Sequence, residues 1–348
     1  MAAGHDARHS RRPVAVTMGD PAGIGGEIAL MAWRNRRHEL PPFFLIDDPD
    51  RLERLVDRTG LACPVSIISA PSDAAEIFAT ALPVMPLSKA VAALPGDDSA
   101  ADAAMVIESI DRAIDAAMSG DVAGLATNPI QKSKLYEAGF RSPGHTEYLG
   151  ERAGLSAAPV MLLVGPSLRV VPVTIHLALR EAILALTTDE IVRTLRITAA
   201  SMIADFGISR PRIAVSGLNP HAGEGGYIGR EEIDVIEPAL AQLRADGVDI
   251  RGPLAGDTMF HAAARSTYDV AVCMYHDQAL IPVKTLDFDN GVNVTIGLPF
   301  VRTSPDHGTA YNIAGTATAN PTSLISAIRL AGEIAACRER TGMQATIA

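Results

Sequence analysis

The chain has little cysteine, no long apolar run and no excess of positive charge, and each shortage argues against a class of function. Its three cysteines, Cys63, Cys273 and Cys337, make neither a CxxC pair nor an even set, which reads against a disulfide framework and suits a reducing compartment. The longest apolar run, near residues 157–166, is too short to span a bilayer, and no continuous apolar region follows the basic leader "HDARHSRRP". A formal net charge of −10 speaks against a broad nucleic-acid surface. The one tight basic cluster, Arg34 to His38, ends an expected helix, where cations complement the helix dipole. The expectation is a soluble, cytoplasmic protein that binds neither nucleic acid nor membrane, with its leader frayed.

A complete dinucleotide fingerprint is missing as well. That motif needs Gly-x-Gly-x-x-Gly between strand and helix, so that backbone can approach a pyrophosphate. In "SGLNPHAGEGGYIG", residues 216–229, Gly223 and Gly225 are followed by Ile228 where the third glycine belongs. In "GDPAGIGGE", Gly23 and Gly25 are followed by Ile28. A nicotinamide nucleotide bound by this chain has to be held in another way.

What the chain does have is length and alternation. At 348 residues, nearly half of them apolar, it has material for about two domains. Apolar β-rich runs, beginning with "VAVTM" at 14–18 and "FFLID" at 43–47, alternate with helical patterns, which implies crossovers and a mostly parallel sheet in an α/β fold. Val106, Ile107, Ile110, Ala113, Ile114 and Ala117 recur with helical spacing inside 103–118, and Gly120 stands where that helix ends. Thr187 and Glu190 have capping-box spacing before a helix that Gly207 closes, and the strand "RIAVSGL" follows. No internal repeat is visible, and residues 82–102 read as a long loop around short elements.

Three apolar runs deliver a histidine at their ends: "RVVPVTIH" leads to His176, "RIAVSGLNPH" to His221 and "DVAVCMYH" to His276. In open α/β sheets the carboxyl ends of strands border the ligand crevice, so three imidazoles placed there can converge. Three histidines and an open position form a catalytic zinc pattern. Taken singly, each is a core or surface histidine with one satisfied hydrogen bond; the shared placement turns the reading toward metal. Asp277 stands beside His276 as an orienting group, a further oxygen ligand or a turn cap.

Groups suited to anions surround the third histidine. Lys284 lies eight residues beyond His276, and "GVNVTIGLPFVRTSPDHGTA" supplies Asn293 and Arg302, a set that suits phosphate or carboxylate as readily as it describes unrelated surface charges. In "SPGHTEYLGERAG", His145 and Thr146 stand at a helix start, where free N–H groups favour an anion and where Thr146 also reads as a plain N-cap.

Together, "TMGDPAGIGGE", "TNPIQK", "GHTEYL", "TIH", "LNPHAGEGG", "GDTMF", "YHDQ" and "GVNVTIGLPFVRTSPDHGTA" resemble, in order and over nearly the whole chain, the 4-hydroxythreonine-4-phosphate dehydrogenase (PdxA) family of vitamin B6 biosynthesis. The resemblance implies a two-domain α/β/α architecture similar to isocitrate and isopropylmalate dehydrogenases, without a Rossmann fingerprint. The first domain would take residues 1–128 plus 285–348 with the cofactor loop, and the second residues 129–284 with the metal ligands and dimer interface, the cleft lying between them. It makes His176, His221 and His276 the ligands of a divalent metal shared across a homodimer, with the glycines near His221 shaping the turn that presents it. His145, Thr146, Lys284, Asn293 and Arg302 become substrate contacts, and Asp257 and Lys284 the catalytic pair, Asp257 as proton acceptor or orienting group where a helix N-cap is the plainer reading. The segment from His307 is similar to the adenosine-side loop of the related decarboxylating dehydrogenases, which assigns His307, Gly308, Thr309, Ala310 and Asn320 to the cofactor.

The chemistry implied by the resemblance is NAD- or NADP-dependent oxidation of 4-phosphohydroxy-L-threonine to 2-amino-3-oxo-4-(phosphonooxy)butanoate, which decarboxylates to 3-amino-2-oxopropyl phosphate. Imidazole ligands suit zinc, with cobalt and magnesium as alternatives. Oxidation of D-threonate or D-erythronate 4-phosphate is the nearest alternative function. A metal-dependent hydrolase or aldolase using the same histidines is the alternative of another class.

Overall fold

Apolar runs bounded by turn residues become strands, and stretches with a 3.6-residue rhythm become helices, in the computed structural model, which describes residues 10, 12–97, 100–137, 139–142 and 144–342. Most of the basic leader expected to fray therefore lies outside the described residues. The strands are β1 (Val14–Thr17), β2 (Phe43–Asp47), β3 (Val65–Ile67), β4 (Leu82–Pro86), β5 (Gly124–Ala126) and β6 (Val160–Val164). They continue with β7 (Arg169–Thr174), β8 (Ile213–Ser216), β9 (Ile250–Leu254), β10 (Val270–Tyr275), β11 (Val292–Ile296) and β12 (Arg302–Pro305). The helices are α1 (Gly25–Arg36), α2 (Pro49–Thr59), α3 (Ala74–Ile77), α4 (Ala103–Ser119), α5 (Lys132–Glu137) and α6 (His145–Arg152). After these come α7 (Leu179–Ala185), α8 (Thr188–Ala204), α9 (Glu237–Ala245), α10 (Ala262–Arg265), α11 (His276–Asp287) and α12 (Thr322–Thr341).

The expected helix signals operate locally. Gly120 takes a left-handed φ of 81° and ends α4, and Thr187 caps α8 by accepting the Glu190 N–H. Arg34 and Arg36 sit in the last turn of α1, where their charges oppose the carbonyl end of the dipole.

The chain divides into two compact units. One comprises the residues up to Ala158 with Leu298–Gly342, and the other Pro159–Gly297. In the first unit the strand order is β3-β4-β2-β1-β5-β12 and every neighbouring pair is parallel. Helices α4 and α12 pack on its strands, and Ile110 and Ile114 of α4 join Phe44, Ile46 and Leu125 in one apolar cluster. Leu135, Phe140 and Leu149 belong to that same cluster. Residues 129–158 therefore pack with the first unit, and the units divide at 158/159 and 297/298 where the sequence led us to expect 128/129 and 284/285.

In the second unit the order is β11-β6-β7-β10-β8-β9. Strands β7, β10, β8 and β9 run parallel, so their carboxyl ends share one edge. Strand β6 runs antiparallel to both neighbours. The Gly165 N–H donates to the Leu168 carbonyl at 2.9 Å, closing a short turn, and a connection that short makes a hairpin and leaves no room for a crossover. Cys273, Ala271 and Val170 of this unit pack with Leu280 and Val283 of α11 in its core.

Candidate functional site

In the second unit, Thr174 of β7 pairs in register with Tyr275 of β10, and the Thr174 hydroxyl donates to the Met274 carbonyl at 2.9 Å. The two strands therefore end level. His176 follows two residues after one partner and His276 one residue after the other, and their ring centroids lie 5.8 Å apart. Both line a cavity of about 220 Å³ with Leu177, Ala182 and Asp277. The His276 Nδ1 is 2.7 Å from Asp277 Oδ1, a contact in which Nδ1–H donates to the carboxylate and the Nε2 lone pair is left for a cation. Cys273, buried on β10, has its thiol pushed up to about 12 by burial and offers no thiolate at neutral pH.

The third histidine stands on a different kind of support. His221, Ala222, Gly223, Glu224 and Gly225 all take left-handed φ values, from 44° to 78°. For a residue with a Cβ that conformation costs roughly 1–2 kcal/mol, and three of these five carry one. Such a run persists only where its surroundings hold it. His176 is left-handed as well, with φ 52°. His221 is exposed, and among the described residues no three His, Cys, Asp or Glu side chains group as a metal site.

Gln278 draws the strand ends together. Its Oε1 accepts from Met274 N at 2.7 Å, and its Nε2 donates to the Gly217 carbonyl beyond β8 at 2.8 Å. A Cβ at Gly256 would meet Gln278 Nε2 at 3.3 Å and Ser216 Oγ at 3.1 Å, so the turn bearing Asp257 abuts the same amide. Asp257 is exposed within the short helical turn Gly256–Thr258, whose N-cap is Ala255, so the capping role open to it from sequence falls to another residue. Lys284 is half-buried in the last turn of α11. Asn293, on β11, has a buried side-chain oxygen without a hydrogen-bond partner, which is an acceptor waiting for a donor.

In the first unit, Arg302 begins β12 opposite Leu125 of β5, and its guanidinium is buried. Burial pulls that guanidinium down to about 10, which still leaves it cationic at neutral pH. His145 opens α6, with Gly144 and not Thr146 at the N-cap. Burial, then the charges of Arg302 and Lys132, holds the His145 imidazole well below its usual value, and its buried Nε2 has no partner. A Cβ at Gly144 would come within 3.1 Å of Lys132 Nζ. A neutral imidazole under the influence of two cations at a helix start can accept or donate a hydrogen bond to an anionic ligand that the cations hold.

The segment from His307 is fastened to "GDPAGIGGE". The Ile24 N–H donates to the Thr309 carbonyl at 3.0 Å, the Tyr311 hydroxyl to Asp20 Oδ2 at 2.6 Å, and the Gly315 N–H to the buried Glu27 Oε2 at 2.6 Å. A Cβ at Gly23 would sit 2.8 Å from the Thr309 carbonyl, so this glycine permits the close approach of a second chain segment where a pyrophosphate loop would admit a ligand. His307 Nε2 is buried without a partner, Gly308 has open space where a Cβ would point, and Ala310 is left-handed at φ 47°. Asn320 Oδ1 accepts from the Thr322 N–H and hydroxyl at the start of α12, a capping duty.

The profile of the family described as Pyridoxal phosphate biosynthetic protein PdxA matches residues 39–331. The chain belongs to the PdxA family. A protein named 4-hydroxythreonine-4-phosphate dehydrogenase from Bradyrhizobium diazoefficiens is 53% identical over 343 residues, 95% of this chain and 99% of that relative. A solved structure of that name from Klebsiella pneumoniae is 38% identical, covers 94% of this chain and 99% of its own, and superposes with a TM-score of 0.85. A terephthalate 1,2-cis-dihydrodiol dehydrogenase from Burkholderia xenovorans is 30% identical over 92% of this chain and 98% of its own, with a TM-score of 0.64. Members of similar fold thus carry names with different substrates.

For this PdxA chain, sequence reasoning missed Lys132, Gln278 and Glu27. Two stood inside the quoted motifs "TNPIQK" and "YHDQ" and one closes "GDPAGIGGE", but nothing in a single sequence says which polar residue in a motif turns inward.

Proposed function

We propose that the chain oxidises 4-phosphohydroxy-L-threonine with NAD or NADP, giving 2-amino-3-oxo-4-(phosphonooxy)butanoate, which loses CO₂ to form 3-amino-2-oxopropyl phosphate in pyridoxal phosphate biosynthesis. The observation that carries this reading is the His145, Arg302 and Lys132 cluster, suited to a small anion, in a chain 53% identical across 95% of its length to an enzyme named for that reaction.

A divalent cation fits the donor set. Two imidazoles 5.8 Å apart, one with its Nδ1 turned to a carboxylate, can ligate through their remaining nitrogens. His221 of a second copy would complete the set, since among the described residues no third His, Cys, Asp or Glu joins the pair within one chain. Exposed apolar side chains in the second unit support such a homodimer: Leu179, Ile183 and Leu184 beside the cavity, and Tyr227 and Ile228 just beyond His221, with Leu184 72% and Tyr227 93% exposed. When bound, the metal lowers the pKa of a hydroxyl and stabilises negative charge on oxygen; we favour zinc, with cobalt or magnesium as the other choices. A bound nicotinamide would supply the hydride acceptor. His307, Gly308, Thr309 and Ala310 suit its holding, on the strength of the unpartnered His307 Nε2 and the open face at Gly308, with Asn320 at the end of the same loop.

The remaining steps fall to the protein's own groups. Arg302 and Lys132 hold an anionic end of the substrate, while His145, neutral, donates or accepts a hydrogen bond there with Thr146. The Asn293 side-chain oxygen accepts from a substrate N–H or O–H. Asp257 takes the carbinol proton, and Lys284, a third cation, binds substrate and returns a proton to carbon once CO₂ has left. The enzyme is cytoplasmic in this reading, in keeping with three free, buried cysteines. Among the described residues no helix is long and apolar enough to cross a membrane.

The test is a panel of 4-phosphohydroxy-L-threonine, D-threonate 4-phosphate, D-erythronate 4-phosphate and a cyclic cis-dihydrodiol, each with NAD⁺ or NADP⁺ and zinc, followed by formation of reduced nicotinamide. Preference for the first substrate supports the proposal. Preference for another reassigns the substrate, and turnover without nicotinamide points to the hydrolase or aldolase.

A further inference from the structure

Glu232 lies in a single wide helical turn, Glu232–Ile236, and is 3% exposed. Its Oε1 accepts the backbone N–H groups of Leu218 and Asn219 at 2.8 and 2.7 Å, and its Oε2 accepts from Asn219 Nδ2 at 2.9 Å. A second carboxylate, Glu231, takes the other bond from that amide nitrogen at 2.7 Å. The glycines around this carboxylate are there to be approached. A Cβ at Gly217 would stand 2.9 Å from Glu232 Oε1, one at Gly223 would stand 2.6 Å from Oε2, and one at Gly229 would stand 2.3 Å from Asn219 Nδ2. Glu232 therefore fixes the entry to the left-handed run at residues 217–219 and packs against its middle at Gly223.

We propose that Glu232 is the positioning residue of His221, holding the left-handed turn that presents the imidazole and thereby setting the affinity of the metal site. It touches neither metal nor substrate. Its contribution is to make one otherwise unfavourable backbone shape the populated one, so that the ligand is in place before the cation arrives. A carboxylate suits the task because it accepts at both oxygens; an amide there would set an N–H₂ against the Asn219 N–H₂. The inference rests on His221 being a metal ligand.

The experiment uses full-length, metal-stripped protein titrated with Zn²⁺ against a chromophoric chelator, with thermal unfolding of each metal-free variant alongside. Glu232→Gln is expected to weaken zinc binding about 10- to 100-fold. Gly223→Ala, which drives a Cβ toward Glu232 Oε2 and leaves the carboxylate in place, reports on the same relationship if the first variant folds poorly. The deciding comparison is a double-mutant cycle: in the His221→Ala background Glu232→Gln should weaken zinc no further. Equal loss in both backgrounds would show a merely structural role and overturn the proposal. Wild-type affinity in Glu232→Gln and Gly223→Ala, with weakened affinity in His221→Ala, would overturn it and leave the metal assignment standing. If His221→Ala binds zinc like the wild type, the metal assignment fails first and this inference with it.

Discussion

Two guanidinium nitrogens of Arg302 converge on the Thr127 hydroxyl oxygen, Nη2 at 2.6 Å and Nε at 3.2 Å. Arg302 lies on β12 and Thr127 directly follows β5, so the parallel pairing of those strands brings hydroxyl and guanidinium together, both buried. Thr127→Val keeps the volume and removes the acceptor. Loss of that partner should destabilise the fold by roughly 1–3 kcal/mol and raise KM for the phosphorylated substrate about tenfold. Denaturant unfolding and steady-state kinetics check the two halves, and an unchanged KM would detach Arg302 from the substrate.

His145 gives a pH signature of stability. Its folded-state imidazole, buried and beside Arg302 and Lys132, is held well below the ordinary 6.5, so below that pH the unfolded chain binds a proton that the folded chain refuses. The group's contribution is therefore fully present above 6.5 and is lost as pH falls from there toward the folded value. The wild type should lose stability relative to His145→Gln on going from about pH 7.5 to 5.5, the other histidines titrating alike in both proteins. Denaturant midpoints at the two pH values measure it. Parallel loss in both proteins would mean that His145 is not held neutral.

How much of this could be read in the sequence follows from where the information sits. His176 and His276 were legible because an apolar run announces a strand and the next polar residue must lie at its end; pairing of Thr174 with Tyr275 then does the rest. The antiparallel direction of β6 was not legible, since apolar content does not report strand direction and only the short turn at Gly165 decides it. Nor was the membership of residues 129–158, because Leu135, Phe140 and Leu149 show that they are apolar but not against which core they pack. Glu232 and Glu27 escaped for a sharper reason: acidic residues in the first turn of a helix read as solvated, and only the fold reveals that each is buried and accepts from backbone N–H.

The Glu27 contact yields a prediction about the nicotinamide. Its Oε2 holds the Gly315 N–H, on the loop assigned to the cofactor, and its Oε1 is buried without a partner. Glu27→Gln keeps an acceptor for Gly315, whereas Glu27→Ala releases the loop. Equilibrium dialysis with NAD⁺ should show Glu27→Ala about tenfold weaker and Glu27→Gln closer to wild type, with zinc affinity unchanged in both. Equal NAD⁺ binding by all three proteins would separate this loop from the cofactor.

The last prediction concerns assembly. The rings of His176 and His276 lie together in one chain, and among the described residues no third His, Cys, Asp or Glu joins them, so the proposed three-histidine site is expected to take His221 from a partner. Twofold symmetry then gives two equivalent sites per dimer. His176→Ala, His221→Ala and His276→Ala should each lose most metal and activity while unfolding near the wild-type temperature, since each truncation lies past a strand end and opens no core cavity. Mixing the His221→Ala and His276→Ala chains and allowing subunit exchange should restore activity: one site of the mixed dimer has a complete set of ligands and the other lacks both histidines. With random exchange half the dimers are mixed, so recovery should approach about a quarter of the wild-type rate. Confirmed exchange without recovery would place His221 and His276 in the same chain's site, and a fully active monomer at assay concentration would remove the shared site altogether.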